Sequence, residues 1–220
     1  MGTRFDEDVY VNGNLQAASL TLPANAVVDA SVAAGAGIGR AKLALETKVY
    51  VIPWESWKVF DAFQSPLPAT SVLDDLGLYG GVHGTDVPLI KSYDVMAAGA
   101  LAIKARCLFQ LPPEYAAGGA VSLRVRAKVD AVADGSATID FAAFKGNREG
   151  LVTGADVVAT AATSINSATF ADKSFTITPT TLGPGDVLDV LMTLDITDTA
   201  GVSPVIASLG EIALLLAVRG

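Results

Sequence analysis

His83 is the one histidine of the chain, and it stands in a glycine-flanked stretch, GGVHGTD. Histidine is the side chain suited to proton transfer near neutral pH and to zinc ligation. Either task needs partners: a nucleophile beside the base, or further nitrogen and sulfur ligands around the metal. The sequence holds no second histidine, and Cys107 is its sole cysteine. A two-histidine or thiolate zinc site is therefore excluded within one chain, and His83 is read as a loop residue. Asp74 with Asp75, and Glu55 with Asp61, are the carboxylate pairs that glycoside hydrolysis would draw on; there, separation in space decides the chemistry. These carboxylates are read as solvated.

Other chemistry is sparse. RFDEDV clusters Asp6, Glu7 and Asp8, and DITDTAG brings Asp195 near Asp198. Neither follows the twelve-residue calcium loop. GAGIGR carries glycines at 35, 37 and 39, but the third falls one residue early for a dinucleotide fingerprint. GPGD, from Gly183 to Asp186, is a turn entering a strand. Trp54 and Trp57 suit either a sugar-stacking platform or a plug at the end of a core. The plug is preferred, because few other large side chains are present to fill a core. The expectation is a chain with no catalytic residue, no cofactor and no metal.

The elements that would position any site are more legible. In AVSLRVRAKVDAV, Val121, Leu123, Val125, Ala127 and Val129 share one face, and Ser122, Arg124, Arg126, Lys128 and Asp130 the other. Strict alternation of this kind has period two, which is that of a strand. Leu101, Ile103, Ala105, Cys107 and Phe109 repeat the pattern, as do Ile139 with Phe141 and Phe175 with Ile177. Leu188, Val190, Met192, Leu194 and Ile196 face inward in the next run, and Ile212, Leu214, Leu216 and Val218 in the last. WESWKVFDAF, bounded by Pro53 and SPLP, is also expected as a strand. Gly118-Gly119, Asp134-Gly135, Gly146-Asn147, Gly183-Pro184-Gly185 and Ala200-Gly201 separate the runs as turns. Short turns mixed with long connections, such as 74–88 and 147–168, predict an all-β, antiparallel sandwich of the jelly-roll or Greek-key type. It is expected over 49–220.

Residues 1–48 read differently. Val9 to Val11 favour a strand, and Asn12-Gly13 is a hairpin signal because both residues tolerate positive φ. Asn25 would cap a short helix through AVVDASVAAG, ended by Gly35 and Gly37. Few large apolar side chains occur here, so the segment is expected to be an extended arm lying on something else. Its anchors would be Val9, Val11, Leu15, Leu20, Leu22, Val27 and Val32, contacting sister subunits or a larger shell.

Charged residues make up 17% of the chain and hydrophobic ones 51%, against about a quarter charged in a typical soluble domain. Either other subunits cover much of the surface, or alanine inflates the apolar count. The net charge of −8 and the lack of any basic run argue against general attraction to nucleic acid or anionic membranes. A lone cysteine excludes an intrachain disulfide. The acidic start, MGTRFDEDVY, does not resemble a secretory signal. The apolar run Ile212 to Val218 is seven residues long, far short of the roughly 20 that span a bilayer as a helix.

VYVNGNLQAASLTLP with the small-residue stretch after it resembles the N-terminal arms of tailed-phage virion proteins. LPPEYAAGGAVSLRVRAKV, Leu111 to Val129, is similar to strand-turn-strand text of phage jelly-roll structural proteins. LGPGDVLDVLMTLDI is similar to the late strands of those domains. The resemblance implies a non-enzymatic capsid decoration (cement) protein on the outside of the phage head. It implies a homotrimer that bridges copies of the major capsid protein, with no nucleic acid or membrane partner. A receptor- or glycan-binding module of a tail or fibre is the competing class, and exposed aromatics in a groove would favour it.

Overall fold

The computed structural model describes residues 44–94, 99–130, 132–147, 149–199 and 203–219. The chain divides into two units, Met1–Gly39 and Arg40–Gly220, and every described residue lies in the second. Its strands are β1 (Leu45–Val51), β2 (Gly77–Tyr79), β3 (Leu89–Lys91), β4 (Gly99–Gln110), β5 (Val121–Val129) and β6 (Gly135–Gly146). β7 (Val152–Thr153), β8 (Thr163–Ser164), β9 (Ala171–Ile177), β10 (Val187–Asp198) and β11 (Ala207–Arg219) follow.

All pairings between named strands are antiparallel. One sheet runs β2-β3-β11-β5-β9, with β1 also on β11; the other runs β4-β10-β6-β7, with β8 on β6. Following the long strands in chain order, β4, β5, β6, β9, β10 and β11 alternate between the two sheets. Each connection therefore crosses from layer to layer, which is the jelly-roll character expected from the mix of short and long links.

The inward faces are those the alternation assigns. Leu123, Val125, Val190, Leu194 and Leu214 are fully buried, as are Ile103, Cys107, Ile139 and Phe175. Phe141 of β6 and Phe175 of β9 meet across the two sheets with ring centroids 4.9 Å apart at 70°, an edge-to-face contact. Trp57 also packs near Phe141, with ring centroids 6.5 Å apart, and is wholly buried, so it plugs the core. Across the outward face of β5, Arg124 pairs with Glu211 and Arg126 with Asp172, while Lys128 reaches Asp130 at its end.

β11 carries a feature that a strict period-two reading misses. Leu209 pairs with Ala127 and Ile212 with Val125, so Gly210 and Glu211 together oppose Arg126. This bulge shifts the phase by one residue. Odd residues Ala207 and Leu209 point inward before it, and even residues Ile212 to Val218 after it. At Gly135 a β-carbon would stand 2.3 Å from the Thr197 carbonyl oxygen and 2.7 Å from Val205, so glycine is required where β6 starts beside β10.

Two expectations change. WESWKVFDAF is not a strand: Ser56 and Trp57 donate to the carbonyls of Pro53 and Trp54, closing a 3-10 turn over Trp54–Ser56. Beyond it the chain is extended only briefly. Lys58 bridges Arg106 and Pro66, and Ser65 N–H donates to Ala62, folding the segment back. The sandwich also begins earlier than residue 49, because β1 pairs with β11 from Leu45 onward. The assigned arm thus gives up residues 45–48 to the sheet. The expected hairpin and helix, with Val9, Val11, Leu15, Leu20, Leu22, Val27 and Val32, lie outside the described residues. The Ala200-Gly201 turn does too. The opposite end of β1 is tied by Tyr50, whose hydroxyl donates to Glu114 at 2.7 Å. Burial, then the Glu114 carboxylate, pushes the Tyr50 phenol up to about 12.

Cys107 lies on the inward face of β4 and is fully buried. Burial raises its thiol above the ordinary value of 9.0, and the charge of Asp189 adds to the shift. The native state therefore prefers the protonated thiol more than the unfolded chain does. That contribution is intact below pH 9 and is lost as the pH climbs above it. Ellman's reagent at pH 8 should label the native protein only as fast as it unfolds, and label it at once in denaturant. Rapid stoichiometric labelling of folded protein would show the thiol to be accessible.

Candidate functional site

The outward face of the four-strand path β4-β10-β6-β7 is built in rows by the register. Leu108 stands opposite Asp189, which stands opposite Phe144; Arg106, Leu191 and Ala142 form the next row, and Lys104, Thr193 and Asp140 the next. Arg106 lies diagonally next to Asp189. Its Nε donates to Asp189 Oδ1 at 2.6 Å and its Nη2 to Oδ2, a two-pronged ion pair. The Asp189 hydrogen bond raises the Arg106 pKa above its ordinary value, against burial, and the Asp189 charge adds to it.

This pair floors a depression of about 300 Å³ lined by Arg106, Leu108, Gly146, Leu151, Val152 and Asp189, among others. Its apolar walls face water: Leu108 is 49% exposed, Leu151 69% and Val152 53%. Phe60 and Phe63 lie beside β4, on the segment whose Lys58 bridges Arg106. Lys104 Nζ lies 4.6 Å from the centre of the Phe60 ring, and the Arg106 guanidinium 5.2 Å from that of Phe63. Both rings are half-buried and each has a cation of the same chain over it. Lower on the face, burial raises the Asp140 carboxyl, with Asp156 and Asp195 adding to it and the Phe141 N–H opposing. Asp140 and Asp195 are diagonal neighbours in the register.

The chemical candidates from sequence do not converge on this face. His83 sits in an exposed turn whose closure comes from Asp86, which accepts the Val82 N–H at 3.0 Å. Glu55 is exposed in the 3-10 turn. Asp61 acts on Asp75: burial raises the Asp75 carboxyl, then Asp74 and Asp61 add to it, while the Phe60 N–H lowers it. Trp57 is in the core, and Trp54 is half-buried against it. Among the described residues, no group of three or more histidine, cysteine or acidic side chains is placed to hold a metal. No helix among them is long and apolar enough to cross a membrane.

Arg106, Leu108 and Asp189 were legible in part. The alternation that turns Cys107 inward leaves Leu108 outward, an apolar residue on a polar face. Nothing local marked Leu151 and Val152, which reach the depression only through the short β6–β7 pairing.

No protein-family model matches the chain, and no curated protein sequence matches it significantly. Some solved structures are distantly similar to it. The CBM22-1 xylan-binding domain from Paenibacillus barcinonensis Xyn10C has 14% identity and a TM-score of 0.37, over 66% of this chain and 81% of that one. The xylan-binding module CBM15 has 10% identity and a TM-score of 0.38, over 80% of this chain and 100% of that one. The enzymatically active domain of bacteriophage CBA120 tailspike protein 4 has 11% identity and a TM-score of 0.40, over 74% of this chain and 20% of that one. A sandwich architecture at this distance says nothing about what is bound.

Proposed function

We propose that this chain is a non-enzymatic structural protein that works by contact with other protein subunits. The virion setting follows the sequence resemblance: a decoration protein on the capsid exterior, trimeric, seated on the major capsid protein. One observation carries the contact reading. The large apolar side chains that the fold leaves exposed are aliphatic without exception among the described residues, and two groups of three stand out beside the loop residues Val72, Leu73, Val82, Val87 and Val132. Leu45, Val49 and Val51 lie along β1, and Leu108, Leu151 and Val152 rim the depression on the other sheet. Exposed aliphatic patches of this kind suit protein surfaces. The arm residues Val9, Val11, Leu15, Leu20, Leu22, Val27 and Val32 would add about 1.5–3 kcal/mol each if fully buried. Ordering the backbone offsets this by about 1–2 kcal/mol per residue, so repetition over several subunits is what makes such an arm effective.

A glycan-binding role is the second reading. The Arg106–Asp189 fork in an open depression, with Phe60 and Phe63 beside it, is the observation that favours it. Sugar hydroxyls suit such a charged fork, although the aromatic ring faces are partly occupied by Lys104 and Arg106.

The test is a chain lacking residues 1–43, compared with the full chain by sedimentation and glycan array. The expected result is a trimeric full chain, a truncated chain that keeps its β-rich circular dichroism but falls to smaller species, and no glycan signal. A monomeric full chain that binds a defined glycan, and loses it on Arg106→Ala, would overturn the proposal in favour of the second reading.

A further inference from the structure

We propose that β1 is a homotypic pairing edge: two copies of this chain join antiparallel through β1, with Thr47 on the twofold axis, into one continuous sheet. This deepens the protein-contact reading by naming the partner.

The backbone supplies the docking groups. β1 pairs with β11 on one side, and β11 is the only named strand that pairs with it. Ile52 N–H donates to the Ile212 carbonyl at 2.8 Å. Antiparallel ladders alternate, so the even residues of β1 turn their N–H and C=O toward β11. The odd residues Leu45, Thr47, Val49 and Val51 turn theirs to the open edge. Among the described residues no strand pairs with that side, and an unpaired edge of this length is a template for another strand.

The side chains select the partner and the register. β1 reads Leu-Glu-Thr-Lys-Val from Leu45 to Val49. With Thr47 opposite Thr47 of the second copy, Glu46 faces Lys48 of the second copy and Lys48 faces its Glu46. Leu45 faces Val49 in the same way, twice. Glu46 and Lys48 share a face, since they already meet within one strand at 3.1 Å, and both are about half exposed. In the proposed register they occupy non-hydrogen-bonded positions, where side chains across the ladder come closest. Thr47, Leu45 and Val49 occupy the hydrogen-bonded positions, giving about six new backbone hydrogen bonds. Moving the axis by one residue puts Glu46 opposite Glu46, or Lys48 opposite Lys48, which is unfavourable. An edge lysine ordinarily discourages pairing; here its neighbouring glutamate turns it into half of a self-complementary pair.

The joined sheet would also merge the exposed Leu45, Val49 and Val51 of both copies beside Leu215 and Ala213 of β11. The contact is twofold. Alone it makes a dimer, and in a trimeric protein it links one trimer to the next.

The experiment uses the full chain carrying Thr47→Cys. Across a hydrogen-bonded antiparallel pair the Cα atoms lie about 5.5 Å apart, inside the roughly 4.4–6.8 Å range that a disulfide spans. The native thiol, Cys107, is buried and does not compete. Mild oxidation should give a covalent pair on a denaturing gel. Adding Glu46→Lys, or Lys48→Glu, should slow cross-linking about tenfold or more by setting like charges opposite each other. Mixing the two charge variants should restore it as a hetero-pair, and combining both changes in one chain should restore the homo-pair. Cross-linking no faster than that of Val72→Cys, an exposed site elsewhere, would overturn the proposal, as would charge variants that cross-link like the parent. Circular dichroism of each variant separates loss of pairing from loss of fold. If pairing fails while the full chain still sediments as a trimer, the contact reading survives and only the β1 partner is wrong.

Discussion

Phe141→Ala should destabilise the sandwich by about 3–5 kcal/mol, the range for losing a large buried aromatic side chain. Phe141 is 2% exposed and packs near both Trp57 and Phe175. Its ring therefore joins three segments that are far apart in the chain: the turn after β1, the long strand β6 and the strand β9 of the opposite sheet. Truncation removes its own transfer energy and leaves both neighbours facing a void, since packed interiors relax only partly. Trp57→Ala should fall in the same range, because Trp57 plugs the end of the same stack. Urea denaturation is the measurement, with the midpoint moving and the slope unchanged. A loss under about 1 kcal/mol would mean that the stack is not the junction between the sheets.

Leu194→Ala should cost about 2–5 kcal/mol, whereas Arg124→Ala should cost less than about 1 kcal/mol. Leu194 is fully buried and sits in register between Ile103 on β4 and Ile139 on β6. Arg124 holds Glu211 at 2.6 Å, but both side chains are well solvated, at 31% and 45%. The two residues test opposite faces of strands whose facing rests on alternation. Equal losses, measured by the same denaturation, would place Arg124 in an interface rather than in water, and would redirect the search for a subunit contact to the outward face of β5.

Much of this was legible before any coordinates. A period-two run can bury one face only, so the alternation at Val121–Val129 and Val187–Asp198 determined both the strands and their inward residues. That a two-histidine or thiolate zinc site cannot form within one chain was legible as well, because the sequence holds one histidine and one cysteine. The N-terminal boundary was misplaced by a few residues, since ETKVYV looks the same whether it belongs to an arm or to an edge strand; only its partner, β11, decides. WESWKVFDAF misled for a related reason. Its alternation does bury Trp57 and Val59, but hydrogen bonds to Pro53 and Trp54 and the return at Ser65 leave no room for a ladder.

The tertiary structure alone decided what meets what. Arg106 and Asp189 are 83 residues apart, and Leu151 reaches the same depression through a two-residue strand. Such neighbours depend on the order of strands within a sheet, which comes from the summed packing of whole faces rather than from any local pattern. The self-complementary text of β1 was present in the sequence from the start. It acquired meaning only when the fold left that strand, among the described residues, at an edge, with one side of its backbone paired to β11.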